Sequence, residues 1–527
     1  MVCAAVLLVA AGLRLWQIDF DLPEVQDVDA GKFVDAAAHI VESGELKPRD
    51  FQYPGGYTNL LALLYKISGI DGAYARHLAA RLISAAGGVG MVGAAWFLAR
   101  RFGNLPAAFV AALLTAVSVD CVTSSHVACT DTLMACFASL ALAFAIAPVP
   151  DWRSWAAAGA LAGLATGMKF SGGCVGPVIV LAAIVDSARR REPVRIARDV
   201  VIICLAGLTT LWITTPRFPA DAAEYLVRLR HEAAIQRYGQ LGHVQYGYLD
   251  YLLSKTATPE QPWLGTSLLS NAGPVVLVIA ALAVVLALAG RAGTGGVITA
   301  LYIVGYMVLI SGPGHLKATR FLLPVLPALF ALIGWLLEWG TTKFMTAKLA
   351  TARMRPIAIA VLTIAVIFWP AMRTVQYLVL LRQPSTNTLA RQWVTENLPA
   401  GTTLFASPFY LGDLWSLPVH PLTFDDTWER QYRLPEGVGP SAERTPIFVP
   451  HVVDLIAQNQ AQYVVLNSYF EDGLAPTADN LRWFPASVEG YELFRAALDE
   501  RADKVHSISG YAEGRAGPDI TVYRLRR

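Results

Sequence analysis

Carboxylates, aromatic side chains and glycines are concentrated in one stretch near the start of the chain. Asp27 and Asp29 lie two residues apart and Tyr53 follows Phe51 in a Pro- and Gly-containing segment, although only 16% of the 527 residues are charged. Such a carboxylate can take a proton as a general base or ligate a hard cation. The stretch directly follows an apolar run, so we predict a functional loop at the mouth of a first membrane span.

A short helix must position the acidic pair. Residues 32–41 carry apolar side chains at helical spacing with polar ones between them, which predicts an amphipathic helix with the pair at its N-terminus. Gly44 is placed to end that helix. Gly55 and Gly56, after Pro54, predict a second break before Tyr57.

The composition is that of a polytopic membrane protein, with 55% apolar residues and a net charge of +2. No basic run with interleaved aromatic residues indicates nucleic acid as a partner. Apolar runs predict about eleven spans, at residues 2–18, 78–99, 105–122, 132–147, 155–168, 172–186, 199–215, 268–289, 295–311, 320–337 and 356–372.

The positive charges predict the orientation of these spans. Arginine and lysine clusters, such as residues 189–198, fall in alternate loops, which makes those loops cytoplasmic by the positive-inside rule. With eleven spans, the N-terminus is then inside, and Asp29 and the C-terminal part are outside. Residues 1–18 have no basic start and contain Arg14, so we predict a retained helix rather than a cleaved signal peptide.

Six cysteines occur, none after residue 204. Cys121 and Cys129 have the spacing to pair, but their place in or beside apolar spans favours buried free thiols.

Two cationic residues at predicted membrane boundaries could meet a phosphate. Lys169 lies between two apolar runs and next to glycines, and Arg320 opens the segment Arg-Phe-Leu-Leu-Pro. The planar guanidinium of Arg320 suits a lipid-linked phosphate. Both side chains could instead merely extend to the membrane surface. Asp131 similarly has two interpretations, as a functional carboxylate or as a helix N-cap.

Three segments carry a resemblance to a known family. They are the first loop, with the acidic pair, the turn at residues 44–48 and Phe-Gln-Tyr-Pro at 51–54; Gly-Leu-Ala-Thr-Gly-Met-Lys at 163–169; and Arg-Phe-Leu-Leu-Pro-Val-Leu-Pro at 320–327. Together they resemble the GT-C membrane glycosyltransferases. The pattern is most similar to bacterial relatives of dolichyl-phosphate-mannose protein mannosyltransferases and of lipid A aminoarabinose transferases.

The resemblance implies an enzyme that moves a sugar from a polyprenyl-phosphate donor to an acceptor hydroxyl by inverting single displacement. It implies a bacterial inner membrane location, with membrane lipids around the chain and a protein, lipid or glycan as acceptor. Asp29 matches the family's catalytic aspartate, while Ala30 replaces the usual glutamate. The remaining candidates are Asp27 and Asp131 for catalysis and, for substrate binding, Lys169, Arg320, His126, His315, Arg217 and Tyr53.

No cofactor is required by this chemistry, but a divalent cation remains open. Asp27, Asp29 and Asp131 would supply the oxygen ligands that Ca²⁺ or Mg²⁺ prefers. A transporter or a lipid-binding scaffold without catalytic activity is the alternative function. It is disfavoured because the charged residues cluster at one face and matched halves are absent from the sequence.

The composition changes near residue 384, which predicts two domains, a transmembrane domain at 1–383 and an extracytoplasmic α/β domain at 384–527. Helices are predicted at 385–397 and 449–458, and strands at 402–406, 462–467 and 520–525. The fold class is therefore mainly α, a GT-C membrane fold with a small C-terminal α/β domain. Residues 414–432 contain Trp and Asp side chains that suit either carbohydrate contact or an ordinary core.

Overall fold

The computed structural model describes most of the chain. The described residues are 2–23, 28–46, 51–238, 248–254, 257–258, 261–265, 267–311, 318–346, 354–407, 418–422, 428–430, 446–448, 456, 458, 460–478, 481 and 485–526.

Long apolar runs form the helices of the membrane part because a helix satisfies its own backbone hydrogen bonds, as hydrocarbon surroundings demand. The α-helices that precede residue 384, short and polar ones included, are α1 (Val2–Leu15), α2 (Val28–Ser43), α3 (Gly56–Ser68), α4 (Ala73–Ala99), α5 (Leu105–Val117), α6 (Val119–Thr123), α7 (Asp131–Ala145), α8 (Trp152–Met168), α9 (Val175–Arg190), α10 (Val194–Thr214), α11 (Ala222–Tyr238), α12 (Asp250–Leu253), α13 (Leu268–Leu288), α14 (Gly293–Ile310), α15 (Leu326–Thr346) and α16 (Met354–Leu380). Two 3-10 helices, Phe170–Cys174 and Thr319–Leu322, and a hairpin of β1 (Ala257–Thr258) and β2 (Gln261–Gly265) complete this part.

A helix coincides with each of the eleven predicted spans. Within the described part of the chain, six helical segments are long and apolar enough to cross a membrane, namely 73–99, 170–190, 194–214, 268–288, 293–310 and 356–380. The chain is thus a multi-pass membrane protein, and the number of eleven crossings stays a prediction. The helix α3 follows the glycine break and was not among the predicted spans.

The predicted span 105–122 is interrupted. Its helix stops at Val117, because Ser118 takes an extended conformation with ψ of 123°, and resumes as α6. The interruption frees backbone carbonyls in a region that must satisfy them internally. Arg14 of α1 donates to Thr115 O and Ala116 O, both at 3.1 Å, and Thr374 of α16 donates to Val117 O at 2.8 Å. Side chains from two other helices therefore satisfy the carbonyls that the interruption leaves free.

A second interruption lies in α13, at Gly273 and Pro274. Gly273 has φ of +87°, and Pro274 has no N–H to donate to the carbonyl of Ser270. Trp369 of α16 fills that role, since its indole N–H donates to Ser270 O at 3.0 Å. The two interrupted helices meet where Asn271 donates to Asp120 Oδ1 at 2.6 Å.

The C-terminal part contains a mixed sheet with strand order β4-β3-β7-β9-β8. Its strands are β3 (Thr403–Ala406), β4 (His420–Leu422), β7 (Tyr463–Asn467), β8 (Ala502–Ile508) and β9 (Ile520–Leu525), and a separate pair is formed by β5 (Trp428–Arg430) and β6 (Pro446–Phe448). The strands β4, β3 and β7 run parallel, whereas β9 is antiparallel to both of its neighbours, β7 and the edge strand β8. The helices are α17 (Thr386–Asn397), α18 (Ser468–Gly473) and α19 (Pro485–Arg501).

This sheet confirms a small α/β unit, with the predicted first helix and three strands in place. Apolar side chains cover both faces, with Phe405, Val464 and Phe494 on one side and Val394, Leu404 and Val465 on the other. The strand β8 and the helix before it were not predicted. The predicted helix 449–458 and the segment 414–432 lie largely outside the described residues.

The first loop and the C-terminal part are joined directly. Ser385, the N-cap of α17, and Thr388 both donate to the carboxylate of Asp21. The predicted boundary at residue 384 falls in the turn that precedes this N-cap, and the independence of the two domains stays a prediction.

Candidate functional site

The helix α2 carries Asp29 in its first turn, where a negative charge is stabilised by the helix dipole. Its apolar face is buried through Phe33, Val34 and Ala37. Gly44 ends it with φ of +74°, and its N–H donates to Ile40 O at 2.9 Å. The predicted amphipathic helix and its glycine stop are therefore confirmed.

The segment that follows is held against the ends of α8 and α10. A Cβ on Gly56 would lie 2.4 Å from the carbonyl oxygen of Gly167, so only glycine permits this approach. Asn59 reinforces the contact by donating to Thr214 O at 2.8 Å. Tyr53 precedes this anchor, and its ring packs edge-on against Phe33 at 4.9 Å between ring centres. The loop thus returns its aromatic side chain to α2.

Asp29 receives three side-chain donors from three chain segments. Arg320 Nη2 donates to Oδ2 at 2.7 Å, and Tyr53 Oη donates to the same oxygen at 3.2 Å. Lys32, one turn along α2, donates to Oδ1 at 3.1 Å. The Asp29 side chain is only 11% exposed, whereas that of Arg320 is 28% exposed. Residues 291 positions apart in sequence therefore form one ion pair.

The charge on Asp29 is stabilised despite its burial. Burial acts to raise the pKa of this carboxyl, but the cationic charges of Arg320, Lys32 and Lys169, with the hydrogen bond from Lys32, outweigh it and lower the pKa to about 2. Asp29 is consequently ionised throughout the physiological range.

Lys169 forms a second ion pair beside the first. The helix α8 ends at Met168, and the extended Lys169 directs its ammonium to Asp131 Oδ1, 2.8 Å away. The same ammonium lies 5.0 Å from the ring centre of Phe321 and 5.7 Å from that of Tyr53. Because Phe321 follows Arg320 and Tyr53 contacts Asp29, these rings join the two pairs. We call Asp29, Lys32, Tyr53, Asp131, Lys169 and Arg320 the charged cluster.

The glycines next to Lys169 permit this arrangement. A Cβ on Gly172 would lie 2.4 Å from Ala165 O, and the Gly172 N–H donates to Lys169 O at 2.8 Å. The chain therefore folds back tightly after Lys169 and fixes the start of its side chain. The N-cap position of α7 belongs to Thr130, so the N-cap interpretation of Asp131 is wrong.

Two other predicted residues have partners outside the charged cluster. Arg217 forms a two-pronged pair with Asp221, at 2.9 and 2.8 Å. His126 is buried, with ring nitrogens 2.9 Å from Val122 O and from Trp16 O, and its ring packs on Tyr377. These contacts are those of a packed core histidine. Asp27 and His315 lie outside the described residues.

The predicted cation site stays a prediction, because one of its three proposed ligands, Asp27, is not described. Among the described residues, no three His, Cys, Asp or Glu side chains form a metal-binding group. Asp29 and Asp131 are each paired with a cationic side chain, and Asp27 is not described. The cysteines of the described chain are free, as expected from their place beside apolar spans.

One member of the charged cluster, Lys32, and two residues in contact with it, Gln52 and Phe321, were not among the predicted site residues. Lys32 lies three residues after Asp29 on a predicted helix, a spacing that brings side chains together, and this signal could have identified it. Gln52 accepts from Lys32 at 3.2 Å and is adjacent to Tyr53. Phe321 had no signal, because its contact with Lys169 depends on the fold.

Comparison with known proteins finds a family model that matches part of the chain and solved structures with a similar fold. The model of the dolichyl-phosphate-mannose-protein mannosyltransferase family matches residues 58–215. No curated protein matches the chain in sequence. Two solved structures have a similar fold, although their identity is low.

The first is ArnT from Cupriavidus metallidurans bound to undecaprenyl phosphate, which is 14% identical with a TM-score of 0.53, over 99% of this chain and 97% of that one. The second is the archaeal oligosaccharyltransferase AglB from Archaeoglobus fulgidus in complex with an inhibitory peptide and a dolichol-phosphate. It is 12% identical with a TM-score of 0.60, over 93% of this chain and 71% of that one. The chain therefore matches the mannosyltransferase family over residues 58–215, and over nearly its whole length it shares the fold of two membrane glycosyltransferases solved with polyprenyl-type phosphates.

Proposed function

We propose that the charged cluster transfers a sugar from a polyprenyl-phosphate donor to an acceptor hydroxyl. The observation that carries this proposal is the meeting of two carboxylates, Asp29 and Asp131, with three cationic side chains, on α2, at the end of α8 and on the 3-10 helix before α15. A base and a phosphate-binding set are the two functions that such a displacement needs. ArnT and AglB were solved with undecaprenyl phosphate and dolichol-phosphate, which supports the same class of donor here.

Arg320 and Lys169 are proposed to hold the donor phosphate. The guanidinium of Arg320 is partly exposed and offers a planar pair of donors that matches phosphate oxygens. Lys169 lies over Phe321 and Tyr53, so its position is supported by two aromatic faces. Both cations stabilise the negative charge that develops on the departing lipid phosphate.

Asp29 is proposed as the general base. The acceptor oxygen attacks the anomeric carbon, the bond from that carbon to the phosphate oxygen breaks, and the acceptor proton passes to Asp29. One displacement inverts the anomeric configuration. Positioned bases of this kind contribute about 10² to 10⁴-fold in rate. Tyr53 and Lys32 hold the carboxylate in place, and Asp27 and His315 remain proposed contributors from neighbouring segments.

The cluster is proposed to face the extracytoplasmic side of the membrane, as the positive-inside pattern predicts. Ser43, at the end of α2, and Val149, between α7 and α8, are both exposed and lie on opposite predicted sides. In a background whose six native cysteines are replaced by alanine, we expect Ser43→Cys to react with an impermeant thiol reagent in intact cells and Val149→Cys to react only after lysis. Labelling of Val149→Cys in intact cells would contradict this orientation.

The function is tested by mass spectrometry of membrane lipids and envelope glycans from cells with and without the gene. We expect loss of the gene to remove one glycosylated product and to accumulate its polyprenyl-phosphate sugar. The parent gene should restore the product, whereas Asp29→Asn should not. Identical profiles in all strains would contradict a glycosyltransferase function.

A further inference from the structure

The cations proposed to hold the donor phosphate are already paired with carboxylates. Arg320 contacts Asp29 at 2.7 Å and Lys169 contacts Asp131 at 2.8 Å. The carboxylate side chains of these pairs are 11% and 3% exposed, so solvent screens them little. This arrangement bears on how tightly the site binds a phosphate, a consequence that rests on the proposed function.

A phosphate and a carboxylate compete for the same donors. Asp29 uses both oxygens, one for Arg320 and Tyr53 and the other for Lys32. The Asp29 carboxylate is therefore similar to a bound phosphate: it is negatively charged, it presents two oxygens, and it accepts from donors that a phosphate would use. A phosphate entering between Arg320 and Asp29 must therefore displace the carboxylate or accept its repulsion.

The competition persists at neutral pH. Burial acts to raise the pKa of Asp29, but the surrounding cations hold the pKa near 2, so the competing carboxylate remains charged. A soluble phosphate gains only its headgroup contacts in exchange. A polyprenyl phosphate is in addition concentrated at the membrane by burial of its apolar chain, so it meets the site at a higher local concentration.

We infer that Asp29 and Asp131 set an affinity threshold at this site, because they occupy the phosphate-binding cations until a phosphate concentrated by its lipid anchor displaces them. Displacement then has a second consequence for the proposed reaction. Asp29 loses its contact with Arg320 only when the donor is present, so the base becomes available for the acceptor proton after donor binding. The cluster thereby favours donor binding before acceptor activation.

The test measures binding of undecaprenyl phosphate and of inorganic phosphate to the full-length protein in lipid nanodiscs. We expect Asp29→Asn to bind both probes about tenfold more tightly than the parent, since it removes one charge-assisted competitor. Asp131→Asn should shift affinity in the same direction. Asp71→Asn is the matched control, because it removes one carboxylate from an exposed ion pair with Arg76 and should leave both affinities unchanged.

Repeating the Asp29→Asn exchange in protein that already carries Arg320→Gln shows whether the gain in phosphate affinity depends on Arg320. In Arg320→Gln, the gain from Asp29→Asn should shrink, because the cation over which the two anions compete is absent. Unchanged or weaker binding by Asp29→Asn, or an equal gain in both backgrounds, overturns the inference. Thermal unfolding of each variant shows that the protein measured is folded.

Failure of the proposed function would look different. If neither Arg320→Gln nor Lys169→Met weakens undecaprenyl phosphate binding, these cations do not hold the donor. If these two variants weaken binding while Asp29→Asn binds neither probe more tightly, the phosphate role of the cations stands and only the competing role of the carboxylates is lost.

Discussion

Arg14 and Arg320 are two arginines of the same helical region with opposite environments. Arg14 is fully buried, and its guanidinium donates to the backbone carbonyls of Ala10, Thr115 and Ala116 at 3.1 to 3.2 Å. Arg320 is partly exposed, and its partner is the carboxylate of Asp29.

The difference distinguishes a structural charge from a functional one. The carbonyl partners of Arg14 are fixed by the interruption after α5 and cannot be exchanged without leaving buried acceptors unsatisfied. The partner of Arg320 is a side chain that another anion can replace. A charged residue near a membrane boundary is therefore best interpreted from its partners, since its sequence context alone is similar in both cases.

Removing the partner of Arg320 should abolish function but not the fold. We expect Asp29→Asn to reduce transfer by about 10² to 10⁴-fold, because the general base is lost. Release of polyprenyl phosphate from a supplied polyprenyl-phosphate sugar measures this. Asp71→Asn is the control and should retain parental turnover. Normal turnover by Asp29→Asn would remove the catalytic assignment.

Removing the charge of Arg14 should do the reverse. Arg14→Leu leaves the carbonyls of Thr115 and Ala116 unsatisfied in the interior, at about 1–3 kcal/mol for each. We expect a marked fall in thermal stability in nanodiscs, and Arg14→Lys, with a single ammonium in place of the fork, should be intermediate. Parental stability of Arg14→Leu would show that the interruption does not depend on this residue.

Keeping the charge of Arg320 while changing its shape sharpens the comparison. We expect Arg320→Lys to lower kcat/KM for the donor about tenfold, because the paired contact with phosphate is lost, with little change in stability. Kinetics at varied donor concentration measure this. If Arg320→Lys has the same kcat/KM for the donor as the parent while Lys169→Met is inactive, the phosphate contact belongs to Lys169.

The smallest expected effect is in the pH dependence. Asp29 must be ionised to act as a base, and its pKa of about 2 keeps it so in the resting protein. The parent should therefore show no acid limb from Asp29 between about pH 4 and 8 in kcat/KM for the donor. In Arg320→Gln, fewer positive charges oppose the effect of burial, so the pKa of Asp29 rises. The residual activity should then begin to fall at a higher pH than in the parent. Coincident profiles would show that Arg320 does not control this carboxyl.

Local patterns were sufficient to predict much of this molecule. Apolar runs located the membrane helices, and the spacing of residues 32–41 with Gly44 located α2 and its end. These features depend on hydrogen bonds and burial within a few turns, which a sequence displays directly.

Long-range pairing was not accessible in the same way. The interruption at Ser118 lacks a Gly or Pro signal, because it is stabilised by Arg14 and Thr374 from distant helices. Pairing of Asp29 with Arg320, and the role of Phe321 beside Lys169, likewise depend on how the helices pack. His126 shows the same limit, since a histidine before a carboxylate suggests a site, whereas its ring lies against two backbone carbonyls; its role in substrate binding stays a prediction.

The most direct measurement is a structure of the protein with undecaprenyl phosphate bound in nanodiscs. We expect the phosphate to lie within hydrogen-bond distance of Arg320 and Lys169, with the Asp29 carboxylate displaced from Arg320. A phosphate bound away from both cations, with the contact between Asp29 and Arg320 intact, would contradict the assignment of the charged cluster as the donor site.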